Sequence, residues 1–144
     1  MRNVLGLCMA AFLSACASHQ LPPMPDDSLS AKRWQVLITA DDGTEIAATV
    51  WQPELAAGEN APLMLHTHGF GLQRMDGRFG LYENFLYTGQ VAKRLWKEGA
   101  FLITWDQRGH GDSGDRINLM EPDKEVADVS RIPVSYTHLR AHET

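Results

Sequence analysis

The 144 residues are enough for one domain at most, and with 44% hydrophobic and 22% charged residues their composition is that of a globular protein. A formal net charge of −5, with lysines and arginines scattered and no basic stripe, argues against nucleic acid as a partner. No internal repeat or low-complexity block interrupts the chain.

The chain opens with Arg2 and an apolar run from Val4 to Leu13 that holds no acidic residue and closes on small side chains. This is the layout of a secretory signal, and the run is too short to span a bilayer as a stable helix. Its end, Leu13-Ser14-Ala15-Cys16, resembles a bacterial lipobox. That resemblance implies that residues 1–15 are a lipoprotein signal peptide and that Cys16, cut free and diacylated, anchors the protein to a membrane. Two or more acyl chains hold where one would not. Ala17 in place of an aspartate after the cysteine implies the outer membrane, if the host is Gram-negative. Cys8 would leave with the signal, so no disulfide is expected. The rest of residues 16–31, with Pro22, Pro23 and Pro25, reads as an extended tether.

Beyond the tether, Trp34 to Ala40 and Thr44 to Trp51 are β-rich runs joined through Asp41-Asp42-Gly43, an Asp-Gly hairpin signal. Pro53 and residues 55–60 make a loop. Leu63 to His66 is a strand too apolar to be half-exposed, as expected for a central parallel strand. Gly69 to Gly80 is a polar, glycine-rich connection. A helix is predicted from about Glu83 to Glu98, with Phe85, Val91, Leu95 and Trp96 on one face and Gly99 as its C-terminal cap. Phe101 to Trp105 returns as a buried strand, and Glu125 to Ser130 reads as part of a further helix. A hairpin followed by strand-helix-strand opens an α/β fold with a mixed, mostly parallel sheet.

Two strand-to-turn junctions carry the chemistry. Leu63-Met64-Leu65-His66 runs into Thr67-His68-Gly69-Phe70-Gly71, and Phe101 to Trp105 runs into Asp106-Gln107-Arg108-Gly109-His110-Gly111-Asp112-Ser113-Gly114. Together, in this order, they resemble the oxyanion turn and the following D-x-R-G-x-G-x-S turn of α/β-hydrolases. Residues 32–132 are therefore identified as the N-terminal part of an α/β-hydrolase domain, a truncated version of that fold. Asp42-Gly43-Thr44-Glu45-Ile46 and Pro122-Asp123-Lys124-Glu125-Val126-Ala127-Asp128 tilt the resemblance toward the Xaa-Pro dipeptidyl-peptidase and cocaine-esterase-like branch.

The resemblance implies a serine hydrolase of ester or amide bonds that needs no cofactor. It also implies an oxyanion hole built from the backbone N–H of Phe70 and of the residue after the nucleophilic serine. Members of the branch often place a tyrosine where this chain has Phe70, whose side chain has no donor. No G-x-S-x-G elbow occurs in the sequence, so no catalytic residue is assigned and the chain by itself is expected to be inactive. A non-catalytic envelope binding module on the same fold and a lysophospholipase-like esterase remain open as alternatives.

Several residues invite other readings. Gly111-Asp112-Ser113-Gly114 mimics a trypsin-like nucleophile motif, but Ser113 follows a parallel strand and is read as a turn former bonding backbone. His66-Thr67-His68 has metal-ligand spacing without the rest of a ligand set, so no metal is assigned. His68 is expected to brace the oxyanion turn beside Gly69, with His66 packed. Asp106 and Arg108 are expected to shape the site by pairing with each other across their turn. Finally, Val134 to Thr144 resembles the translation of a transposase-type sequencing adapter, and residues 133–144 are expected to be non-native.

Overall fold

The computed structural model describes residues 20–23, 33–56, 59–77, 87–118 and 121–141. The signal peptide and Cys16 lie outside the described residues, as do the tether apart from residues 20–23, and Phe85.

Four strands form one sheet. β1 (Arg33–Thr39) and β2 (Glu45–Trp51) make the hairpin, and β3 (Leu63–Thr67) and β4 (Phe101–Trp105) follow. The spatial order is β1-β2-β4-β3. β1 pairs antiparallel with β2 from Arg33↔Trp51 to Thr39↔Glu45, and β2 pairs antiparallel with β4 from Ala48↔Trp105 to Trp51↔Leu102. β3 and β4 run parallel, Leu63↔Phe101 to Thr67↔Trp105, joined by a crossover that contains helix α1 (Tyr87–Lys97). Helix α2 (Pro122–Ala141) follows β4, starting on a proline whose missing N–H would have been an orphan at that position anyway. It continues through Pro133 into the segment read as adapter-derived.

Alternation along the strands sorts the core into two layers. Ile46, Ala48, Val50, Phe101, Ile103 and Trp105 bury one face, together with Ile38 of β1 and Ile132 of α2. Trp51 and Leu102 bury the other, against Met75, Ala92 and Trp96. Trp51 meets Trp96 edge to face at 5.3 Å between ring centroids, a preferred aromatic geometry. Trp96 Nε1 also donates to the Gln52 carbonyl at 2.8 Å, fixing α1 on the end of β2.

The structure revises two expectations. Ala92 and Trp96, four residues apart, form the buried side of α1, while Val91 is exposed. The small alanine lets the helix approach the sheet beside the bulky tryptophan. β3 is half-buried rather than enclosed, and Leu63 at its start is exposed, because among the described residues no strand pairs with its outer edge. β4, flanked on both sides, is buried throughout. Gly99, with φ of 105°, ends α1 in a left-handed conformation as predicted, its N–H donating to the Trp96 carbonyl at 3.1 Å.

Candidate functional site

The C-terminal ends of the parallel strands β3 and β4 bring the two sequence landmarks side by side, where open α/β sheets bind ligands. After β3 the chain makes a tight turn over Gly69-Phe70-Gly71-Leu72. The Leu72 N–H donates to the Gly69 carbonyl at 3.1 Å, and Gly71 has φ of 76°. These are the marks of a type II turn, which demands a positive φ at its third residue and so favours glycine there. The Gly71 N–H donates to His110 Nε2 at 3.5 Å. Phe70 is 70% exposed, and its N–H has no hydrogen-bond partner among the described residues.

His68 lies against this turn. Its Nδ1 lies 2.8 Å from the Gly69 carbonyl, and the Gln107 N–H donates to its Nε2 at 3.1 Å. A peptide N–H can only donate, so the proton of the ring sits on Nδ1 and the imidazole is neutral. Burial pushes the ring below its ordinary pKa, the Gly69 carbonyl and Asp106 pull it back, and neighbouring His110 adds to the lowering. The His68 and His110 rings lie 4.9 Å apart, and the Phe70 ring stands edge-on to His110 at 5.9 Å. His66 lies within β3, with neither ring nitrogen hydrogen-bonded among the described residues, and burial lowers its pKa as well.

Asp106 and Arg108 do not pair with each other. The Asp106 carboxylate, fully buried, accepts the Arg74 N–H at 2.5 Å, the Arg74 guanidinium and the Asp112 N–H at 2.9 Å. Gly111, with φ of 51°, lies directly over that carboxylate. Arg108 turns to other elements: its Nε and Nη2 grip Asp128 of α2 at 2.7 and 2.8 Å, and its Nη1 reaches Asp42 of the hairpin turn at 2.6 Å. Asp128 and Asp42 hold the Arg108 guanidinium above its ordinary pKa, and the hydrogen bond from Arg108 holds the Asp42 carboxyl well below the usual carboxylate range. Two residues apart in sequence, the pair serves two centres.

Ser113 forms the turn and also fastens it to the sheet. Its hydroxyl donates to the Asp106 carbonyl at 2.7 Å and accepts the Ala47 N–H of β2 at 2.9 Å. Among the described residues no cluster of His, Cys, Asp or Glu has the arrangement of a metal site.

Arg74 is the site residue that sequence reasoning missed. Placed in a polar connection, it is 2% exposed, and its guanidinium meets Asp106, Asp112 at 2.9 Å, Gln35 at 2.6 Å and Thr49 at 3.1 Å. Beside the two turns a hollow of about 330 Å³ opens at the strand ends, lined by Thr67, Trp105, Gln107, Val126 and Val129 among others.

No protein-family model matches the chain, and no curated protein matches it. Solved structures do. A hypothetical protein from Pseudomonas aeruginosa superimposes with a TM-score of 0.57 at 24% identity over 78% of this chain and 34% of its own. An α/β hydrolase from a Penicillium species gives 0.52 at 18% identity, over 72% and 32% of the two chains. An esterase from Pyrococcus furiosus gives 0.50 at 23%, over 76% and 38%. The chain thus has the α/β-hydrolase fold in part and spans about a third of the length of these structures.

Proposed function

We propose that this chain supplies the N-terminal part of an exported serine hydrolase that cleaves ester or amide bonds. The Phe70 N–H, without a partner among the described residues and presented from a braced turn at the end of β3, carries this reading. A serine oxygen attacking a carbonyl carbon drives negative charge onto the carbonyl oxygen. Donors already fixed at that position stabilise the charge without reorganising. Phe70 is one donor; the residue after the serine is the other, on an elbow that lies outside these 144 residues. Because Phe70 has no hydroxyl, backbone groups alone hold the oxyanion. That favours esters over the Xaa-Pro peptides of the branch the sequence resembles.

The decisive experiment is to extend the gene past Ile132. The longer product is expected to contain a G-x-S-x-G serine, to be labelled there by a fluorophosphonate, and to hydrolyse a nitrophenyl acylate. A full-length protein without that serine removes the proposal. The lipobox resemblance extends the reading to a lipid-anchored protein of the cell envelope, attached through Cys16. In a bacterial host the full-length protein should then fractionate with membranes, and Cys16→Ser should release it or halt its maturation. Unchanged membrane association of the variant counts against the anchor.

A further inference from the structure

We propose that Arg74 is the positioning residue of the oxyanion turn. Its catalytic readout rests on the serine-hydrolase reading; its structural readout does not. The turn's own bond, Leu72 N–H to the Gly69 carbonyl, gives it a shape but not a location. Location comes from its two ends. On the upstream side, β3 pairs with β4, and His68 accepts the Gln107 N–H. On the downstream side, Arg74 is held twice by one carboxylate, through its peptide N–H to Asp106 Oδ1 at 2.5 Å and through its guanidinium to Asp106 Oδ2. Both anchors therefore lie on the start of the β4 turn. Phe70, between them, is carried at a fixed height above the strand ends.

The second anchor is itself locked. Asp106 also accepts the Asp112 N–H at 2.9 Å, and Asp112 returns a carboxylate oxygen to the Arg74 Nη2 at 2.9 Å. Gln35 on β1 and Thr49 on β2 take further guanidinium hydrogens, so one side chain ties the oxyanion turn to two strands and the second turn. Next door, the Thr104 hydroxyl of β4 donates to the Met75 carbonyl and pins the following residue. This set of acceptors selects arginine over lysine. A planar fork of five donors meets separated acceptors at once, whereas an ammonium offers three donors from a single point. Arg74→Lys thus keeps the charge and removes the geometry.

The test compares the full-length protein with Arg74→Lys and with the milder Asp112→Asn, which carries the test if the first variant fails to fold. Amide hydrogen exchange at Gly71 and Leu72 is expected to accelerate by about tenfold or more in Arg74→Lys as the turn opens locally, and less in Asp112→Asn. Per serine titrated with a phosphonate, kcat should fall by about ten- to a hundred-fold, the scale set by a displaced oxyanion donor. KM should stay within about threefold, because the ground state uses the donor little. Exchange equal to wild type in both variants overturns the proposal. So does unchanged kcat per titrated site beside a lowered melting temperature, since a residue serving stability alone would give that pattern. A wild-type protein with no titratable serine, but with the exchange response intact, overturns the hydrolase reading and leaves Arg74 as the anchor of the turn.

Discussion

The two arginine–carboxylate centres of the molecule make an instructive pair. In the first, Arg74 and Asp106 have no side-chain exposure at all, and every partner is fixed by a strand or by a turn beside the site. In the second, Arg108 is nearly as buried, but one of its partners, Asp42, is 40% exposed at the tip of the hairpin. The more deeply buried centre, whose Asp112 is 22% exposed, holds the parts of the site in register with one another. The half-open one fastens outer elements, the hairpin turn and α2, to the β4 turn. Burial decides which task a charge pair can perform: where water can take over a partner's role, the pair tolerates movement, and where it cannot, the pair dictates position.

The comparison can be broken most directly at Asp106. Asp106→Ala in the full-length protein leaves the Arg74 guanidinium buried without its principal counter-charge and leaves two peptide N–H groups without an acceptor. A loss of about 3–5 kcal/mol is expected, read by denaturant unfolding. If the loss is no greater than that of an exposed-partner variant such as Asp42→Ala, the two centres are equivalent and the distinction fails. Asp128→Asn should cost less, about 1.5–3 kcal/mol, because the amide keeps one acceptor for Arg108 and Asp42 still supplies a charge.

Proton linkage gives the smallest effects and separates the centres by pH. Asp42 has its pKa depressed by folding, so its contribution is complete above the ordinary value of 3.8 and disappears as the pH falls below it. Asp42→Asn should therefore flatten the acid limb of the stability curve there and nowhere else. His68 is also depressed, from 6.5, and folding favours its neutral form. Its contribution is complete above that value and declines as the pH falls below it, because the unfolded chain then binds the extra proton. In exchange measurements the amides of Gln107, Gly71 and Leu72 should lose protection in step with that decline. Protection that is flat across this range would mean the ring does not brace the turn through its Nε2.

What the sequence made legible follows chain distance. The hairpin, β4 and the turn after it are contiguous stretches whose alternation and glycine spacing speak for themselves, and His68 beside Gly69 could be read as a brace because its first partner is its neighbour. Arg74 could not, because its acceptors lie 25, 32 and 39 positions away and only the sheet order brings them together. Asp106 and Arg108 misled in the opposite way. Nearness in sequence suggested a pair, but a turn divides neighbours between the two sides of the chain. On α1 the phase was set by large apolar residues, whereas the surface that met the sheet was chosen by a small one, Ala92. That no strand pairs with the outer side of β3 among the described residues had no signature in its own residues, since an apolar strand looks alike with one neighbour and with two.

The closeness of Gly111 to Asp106 carries a genetic consequence. A Cβ built on that glycine would run into the Asp106 carboxylate, so even an alanine at 111 and the carboxylate at 106 exclude each other. The two positions cannot drift independently. A library that randomises both should return glycine at 111 together with aspartate at 106. Either change is harmful alone, and neither relieves the other: the double change still lacks the Asp106 acceptor and still strains the backbone at 111.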